Sequence, residues 1–357
     1  MSSTALGLPT LRGVTPVSDR PDADGLIDRF GRTATDLRIS LTDRCNLRCT
    51  YCMPAEGLDW QPADQLLSTA ELQRLIRIAV DDLGVEEIRF TGGEPLLRAD
   101  LPELVSFAAA LHPRPSISLT TNGLGLHRKA HLLADAGVDR INVSLDSIDR
   151  DVYAAITRRD RLDDVLTGLR AAREAGLHPI KINAVLIREV NDSGVGDLLD
   201  YCLREGFELR IIEQMPLDAG HRWQRSEMIT AAEIHSLLGE RHDLTVDPTP
   251  RGAAPAQRWL VDGGPAAVGV IASVTEPFCG DCDRVRLTAD GRVRSCLFAG
   301  EETDLMSLLR GLSQNAADTD SEIAARWRDA MWTKQPGHGI DDPAFLQPAR
   351  PMSAIGG

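Results

Sequence analysis

Between Leu37 and Ile212 the chain repeats one unit six times, a short apolar run with strand character followed in most cases by a stretch of helical period. Leu37-Arg38-Ile39-Ser40-Leu41 alternates as a strand does. The stretch after it places Leu72, Leu75, Ile76, Ala79, Val80 and Leu83 on one helical face, opened by Thr69 and Glu71 and closed by Gly84. Further strands are predicted at 87–90, 116–120, 140–145, 180–187 and 207–212, with helical stretches at 101–111, 129–136, 162–175 and 195–204. Strands and helices in this order imply a parallel sheet with right-handed crossovers. Eight units would close a barrel and six leave it open. The expected fold class is therefore α/β, a partial (β/α)6 barrel, with a flat doubly wound sheet as the other arrangement of the same units.

The rhythm divides the chain. Residues 1–30 carry Ser, Pro, Gly and Asp without periodicity and are expected to be a flexible N-terminal extension. The barrel takes 31–216. A C-terminal region, 217–330, has a helical stretch at 230–241, a Pro/Ala-rich loop at 248–256, strands at 257–261 and 267–272, a cysteine-rich β-hairpin, and helices at 304–312 and 321–330. Residues 331–357, with six prolines and glycines before the terminal Gly356-Gly357, are expected to be an extended tail.

Composition restricts the partners. The 357 residues, 43% of them hydrophobic, suffice for two packed units. With 39 Lys and Arg against 53 Asp and Glu, the net charge is -14. A surface this acidic repels nucleic acid and anionic membranes, so an anionic ligand needs a local basic pocket. No apolar run reaches the roughly 18 residues that span a bilayer, and the N-terminus lacks the features of a secretory signal. A reducing cytoplasm is the expected compartment, where cysteines serve as ligands or catalysts more than as disulfides.

Seven cysteines occur, and six form two triplets. Cys45-x3-Cys49-x2-Cys52 follows the first strand, so three thiolates share one short loop. Three cannot pair among themselves, and no nearby His completes a zinc set. Soft thiolates suit zinc or iron–sulfur clusters, and three on a [4Fe–4S] cube leave one iron free for a small molecule. The second triplet, Cys279-x2-Cys282-x13-Cys296, spans a hairpin whose turn is Asp290-Gly291. That hairpin brings Cys296 back towards Cys282, with Arg284 and Arg286 on one strand face and Val285 and Leu287 on the other. Structural zinc, CxxC redox chemistry and a second cluster are all open for it. Cys202 sits among Leu198, Leu199 and Leu203 and reads as a buried structural thiol.

The run from Thr42 to Cys52, with Thr91-Gly92-Gly93-Glu94-Pro95, resembles the cluster loop and glycine motif of the radical S-adenosylmethionine (SAM) superfamily. The second triplet followed by alternating arginines is similar to one branch of it, the GTP 3′,8-cyclase family of molybdenum cofactor biosynthesis. The resemblance runs from about Phe30 to Glu302 and includes the terminal Gly-Gly. It implies two [4Fe–4S] clusters, held by Cys45, Cys49 and Cys52 and by Cys279, Cys282 and Cys296. It implies Tyr51, Gly93, Ser144 and Met215 around SAM, and Arg38, Arg89, Thr120, Lys181, Arg284, Val285 and Arg286 around GTP. The tail is expected to reach the active site.

The implied reaction is lyase chemistry without a conventional acid–base residue. SAM is cleaved to methionine and a 5′-deoxyadenosyl radical, hydrogen leaves the ribose C3′, and the carbon radical adds to guanine C8, giving 3′,8-cyclo-7,8-dihydro-GTP. The resemblance also implies an external electron donor and a downstream cyclic pyranopterin monophosphate synthase, and it accommodates a homodimer. A radical SAM enzyme acting on a peptide or another nucleotide is the alternative within the superfamily. An iron–sulfur redox sensor or DNA-binding regulator is the non-enzymatic one.

Overall fold

The computed structural model describes residues 16–311, 316–343 and 345–356. Six strands lie side by side in parallel, in chain order: β1 (Asp36–Ser40), β2 (Glu87–Thr91), β3 (Ser116–Thr121), β4 (Arg140–Ser144), β5 (Ile180–Val185) and β6 (Glu208–Ile212). Between them run α1 (Thr69–Asp81), α2 (Leu101–Ala109), α3 (Leu126–Ala136), α4 (Arg150–Thr157), α5 (Leu162–Glu174) and α6 (Val195–Glu205). α1 starts with a capping box, Ser68 and Glu71 satisfying each other's backbone N–H groups. Each helix covers the sheet with the apolar face its period defines, such as Leu72, Leu75, Ile76 and Ala79 of α1.

The C-terminal region does not stand apart. After α7 (Ala231–Gly239) come β7 (Leu244–Val246), β8 (Gln257–Val261) and β9 (Ala267–Ile271), and β9 pairs in parallel with β6. Next, β10 (Arg284–Leu287) pairs in parallel with β1 at the opposite edge. β11 (Arg292–Arg294) and β12 (Thr303–Asp304) extend that edge antiparallel. Among the described residues the result is one sheet of twelve strands, ordered β12-β11-β10-β1-β2-β3-β4-β5-β6-β9-β8-β7. It does not close, as expected of a partial barrel. The helices α8 (Met306–Leu309), α9 (Ala316–Trp332) and α10 (Met352–Ile355) complete the chain.

Several expectations need correction. The lead-in is not flexible throughout: Leu26 is wholly buried in the core, and an Ile27–Thr33 bridge folds the segment on itself. Residues 1–15 lie outside the described part. The stretch at 304–312 begins as β12 and yields only the single turn α8, while α9 starts five residues before the predicted 321. The tail is not fully extended, because Pro351 starts the helical turn α10. Gly357 lies outside the described residues.

One buried carboxylate ties the two sequence regions together. Glu213, just past β6, accepts the backbone N–H of Ala231 at the start of α7 (2.7 Å) and those of Val274 (2.7 Å) and Thr275 (2.9 Å) after β9. Glu213→Ala would strand these buried donors, each costing about 1–3 kcal/mol. Urea unfolding without oxygen is expected to show a loss of about 3 kcal/mol or more.

Candidate active site

All six strands end on the same side, and the loops after β1 and β2 meet there. Gly93 donates its N–H to the Thr42 carbonyl at 2.6 Å, and Glu94 donates to Arg44 at 2.8 Å. A Cβ at Gly93 would lie 2.3 Å from the Arg44 carbonyl oxygen, so only glycine permits this contact. Glu94 is buried and braces the next strand, accepting from Thr121 Oγ1 at 2.6 Å and from the Asn122 N–H at 2.7 Å. Burial outweighs these bonds and pushes its carboxyl up to about 7.

The braced loop forms one wall of a chamber lined by Cys45, Cys49, Cys52, Tyr51, Gly93, Ser144 and Asp146. Burial, reinforced by the neighbouring thiols, drives the Cys49 thiol well up and Cys52 to about 12. Asn122 sends its amide towards Cys45 Sγ at 3.7 Å. Tyr51 donates to Asp146 at 2.9 Å, and Asp146 also accepts the Val185 N–H at 2.9 Å. Burial raises Asp146 to about 6 despite these donors.

A second chamber holds the other triplet. Cys279, Cys282 and Cys296 line it with Arg38, Arg89, Arg210, Arg284 and Arg286. The pairing of β10 with β1 sets Arg284 opposite Asp36 and Arg286 opposite Arg38, so alternate residues present guanidinium groups on one face. Asp36 is their shared buried counter-charge, 3.6 Å from Arg38 and 3.8 Å from Arg89. Burial and mutual repulsion lower Arg38 and Arg286 to about 9, which leaves both charged at neutral pH. Five guanidinium groups facing one hollow make the local basic pocket that the acidic average demanded.

The chambers adjoin: Thr120, Asn183, Ile212 and Met352 border both. The tail enters this junction. Arg350 grips the hairpin turn through both oxygens of Asp290, at 2.9 and 2.7 Å. Beyond it, Ser353 and Ile355 are buried and the Gly356 carbonyl accepts from Arg286. Gly356 has φ +83°, and a Cβ there would meet Thr91 at 2.8 Å.

Most residues named from sequence come together here, with three exceptions. Met215 borders the second chamber and not the first, because the turn after β6 seats it against Met228 and Val274. Lys181 lines neither chamber and pairs with Glu208 at 3.5 Å. Val285 is fully buried in the core with Leu287, so only its backbone faces the arginine side. Sequence reasoning missed Arg210, although its place two residues after Glu208 on the sixth strand put it on the sheet's alternating face. Cys202 is buried in the core as expected.

Three thiols border each hollow, with Asp146 also lining the first and His338 the second. Among the described residues no three His, Cys, Asp or Glu are grouped to hold a single metal ion. Donors set around a cavity in this way fit a polynuclear iron–sulfur cage better than a closed zinc site.

An open parallel sheet with a three-cysteine loop after its first strand defines a radical SAM protein, and residues 39–202 match the Radical SAM superfamily model. Residues 207–340 match the model for Molybdenum Cofactor Synthesis C. The GTP 3′,8-cyclase of Mycobacterium marinum is 60% identical over 365 residues, covering 100% of both chains. That of Mycolicibacterium smegmatis is 60% identical over 366 residues, again over both full chains, and the GTP 3′,8-cyclase 2 of Mycobacterium tuberculosis is 59% identical over 365. The chain belongs to the GTP 3′,8-cyclase family. Among solved structures, Streptococcus suis SuiB superposes with a TM-score of 0.57 at 15% identity, covering 86% of this chain and 68% of SuiB. This last likeness concerns the fold alone.

The grip of Arg350 gives a test. Arg350 and Thr288 overcome burial and hold the Asp290 carboxyl at about 2, below its ordinary value, so the clamp is complete at neutral pH and weakens only as pH falls through about 2. Asp290→Asn should speed hydrogen exchange at 352–356 about tenfold, the equivalent of about 1.4 kcal/mol, with iron content unchanged.

Proposed function

We propose that this chain is a GTP 3′,8-cyclase, converting GTP with SAM to 3′,8-cyclo-7,8-dihydro-GTP in the first step of molybdenum cofactor synthesis. The observation that carries the reading is the junction of the two chambers, thiols and glycine loop on one side, thiols and arginines on the other. Full-length identity to relatives of that name supports it.

When bound, the first cluster and SAM supply one-electron chemistry, the cleavage of SAM to methionine and a radical able to take hydrogen from the ribose. The protein's part is placement. Cys45, Cys49 and Cys52 hold one cluster beside Tyr51, Gly93 and Ser144, which border the space for SAM. Cys279, Cys282 and Cys296 hold the other. Arg38, Arg89, Arg210, Arg284 and Arg286 suit a triphosphate, and Thr120 on the shared wall borders both ligands. Lys181, beyond the lining, and Val285, through its backbone, play lesser parts. Met215 serves the nucleotide side. The buried tail helps exclude water, which protects a reactive intermediate from side reactions, and the short span between chambers sets proximity.

An external one-electron donor and a downstream cyclic pyranopterin monophosphate synthase complete the setting, which we place in the cytoplasm; a homodimer is compatible with it. Among the described residues no helix is long and apolar enough to cross a membrane.

Incubation with dithionite, SAM and GTP without air is expected to yield the cyclised nucleotide together with 5′-deoxyadenosine. Deoxyadenosine formation indifferent to GTP would overturn the reading. Arg210→Met is expected to raise the KM for GTP about tenfold or more, since a charge-assisted hydrogen bond contributes about 1.5–3 kcal/mol.

A further inference from the structure

One buried charge behind the second chamber's Cys282 is not accounted for by nucleotide binding. Lys334, two residues past α9, is only 2% exposed. Its ammonium donates to the Arg284 carbonyl at 2.8 Å and the Cys282 carbonyl at 3.2 Å, and it reaches Cys282 Sγ at 3.5 Å. Those three contacts use its three donors. Among the described residues no carboxylate lies within 4.0 Å of it.

Neighbouring cations are balanced differently. Arg32, which also holds this loop through the Cys279 carbonyl at 2.7 Å, is paired with Asp28. Arg284 is paired with Asp283 at 3.2 Å. A buried ammonium without a counter-charge is costly, and carbonyl dipoles solvate it without neutralising it. The sulfur of Cys282 is the one contact able to carry negative charge. Among the described residues no cation is bonded to a sulfur of the first triplet: Arg48 donates to the Cys45 carbonyl at 2.8 Å, while Cys45 Sγ receives the neutral Leu47 N–H at 3.5 Å and the Asn122 amide at 3.7 Å.

We infer that Lys334 is a positioning residue that acts as the built-in counter-ion of the group held by Cys279, Cys282 and Cys296, stabilising its more reduced, more negative state. The inference rests on the reading that this triplet carries a [4Fe–4S] cluster. Charge and hydrogen bonds at the sulfurs set the potential of such a cluster, so a cation at one ligand makes the second cluster easier to reduce than a neutral donor would.

The test uses the full chain, reconstituted without air, with iron and sulfide counted before the clusters are poised at fixed potentials and read by electron paramagnetic resonance. Lys334→Gln keeps an amide to cap the two carbonyls and removes the charge; Lys334→Arg keeps the charge. At the wild-type midpoint, Lys334→Gln is expected to lower the reduced-to-oxidised ratio of the second cluster about tenfold, a shift of about 59 mV for one electron. The first cluster should be unmoved and Lys334→Arg should restore the ratio. Lys334→Gln with both clusters and wild-type poise overturns the inference, since mere capping predicts that result. A measurement on the wild type is independent of folding in any variant: with 15N-lysine, pulsed resonance of the reduced second cluster should show a lysine nitrogen coupling, and its absence overturns the inference too. Wild-type protein holding a single cluster would instead sink the two-cluster reading, before any variant is made.

Discussion

The pairing of Arg284–Leu287 with Asp36–Ile39 is the contact on which the site depends. It is parallel, and its register puts Arg286 beside Arg38 and Arg284 beside Asp36. A slip of one residue would send both arginines to the core side and Val285 and Leu287 into the polar hollow, since successive side chains point to opposite faces. Burial of those two apolar residues therefore fixes where the cations stand. The same strand follows directly from Cys282, so the register that orders the arginines also aims the second triplet across the barrel mouth.

Charge is spent unevenly around this cavity. In the cysteine loop after β1, burial raises the free thiols and outweighs the donors near them, although Arg48 grips the loop through the Cys45 and Leu47 carbonyls. On the other side five arginines line the hollow, with Asp36 beside Arg38 and Arg89, Asp283 beside Arg284 and Glu208 beside Arg210, while Lys334 reaches the sulfur of Cys282. Burial tends to raise the Cys282 thiol, yet Lys334 and Arg284 bring it below its usual value. An environment so rich in fixed cations is preorganised for a polyanion and needs little rearrangement to receive one.

The barrel was legible because its strands pack apolar residues under the helices and turn alternate polar ones to the hollow, which forces alternation, while its helices are covered on one side, which forces a 3.6-residue period. Where burial is partial the pattern fades. β7, Leu244–Val246, is mostly exposed at a sheet edge and left no signal. α4 is short and follows its strand closely, with Asp149 as its cap the main local cue. The cysteine loops could be read because ligand spacing is local. Lys334, Met352 and the chamber assignment of Met215 could not, because they arise from segments brought together only by the closed tertiary structure. Leu26 escaped for the same reason: the pair Leu26-Ile27 among Asp, Gly and Arg is too short to show a period.

The twelve-stranded sheet has a consequence for how the chain acquires its shape. Strands β1 and β6, which bound the six-strand core, are covered by β10 and β9, segments synthesised well after both. Until they arrive, the nascent barrel presents two bare parallel edges, each a ready template for pairing with another molecule. Joining Asp36 to Arg284 also closes a loop of about seven-tenths of the chain, a slow event by the entropy of bringing distant segments together. The excised barrel segment alone is thus the form most prone to self-association, and the late-made strands act as its edge guards as well as bearers of half its chemistry.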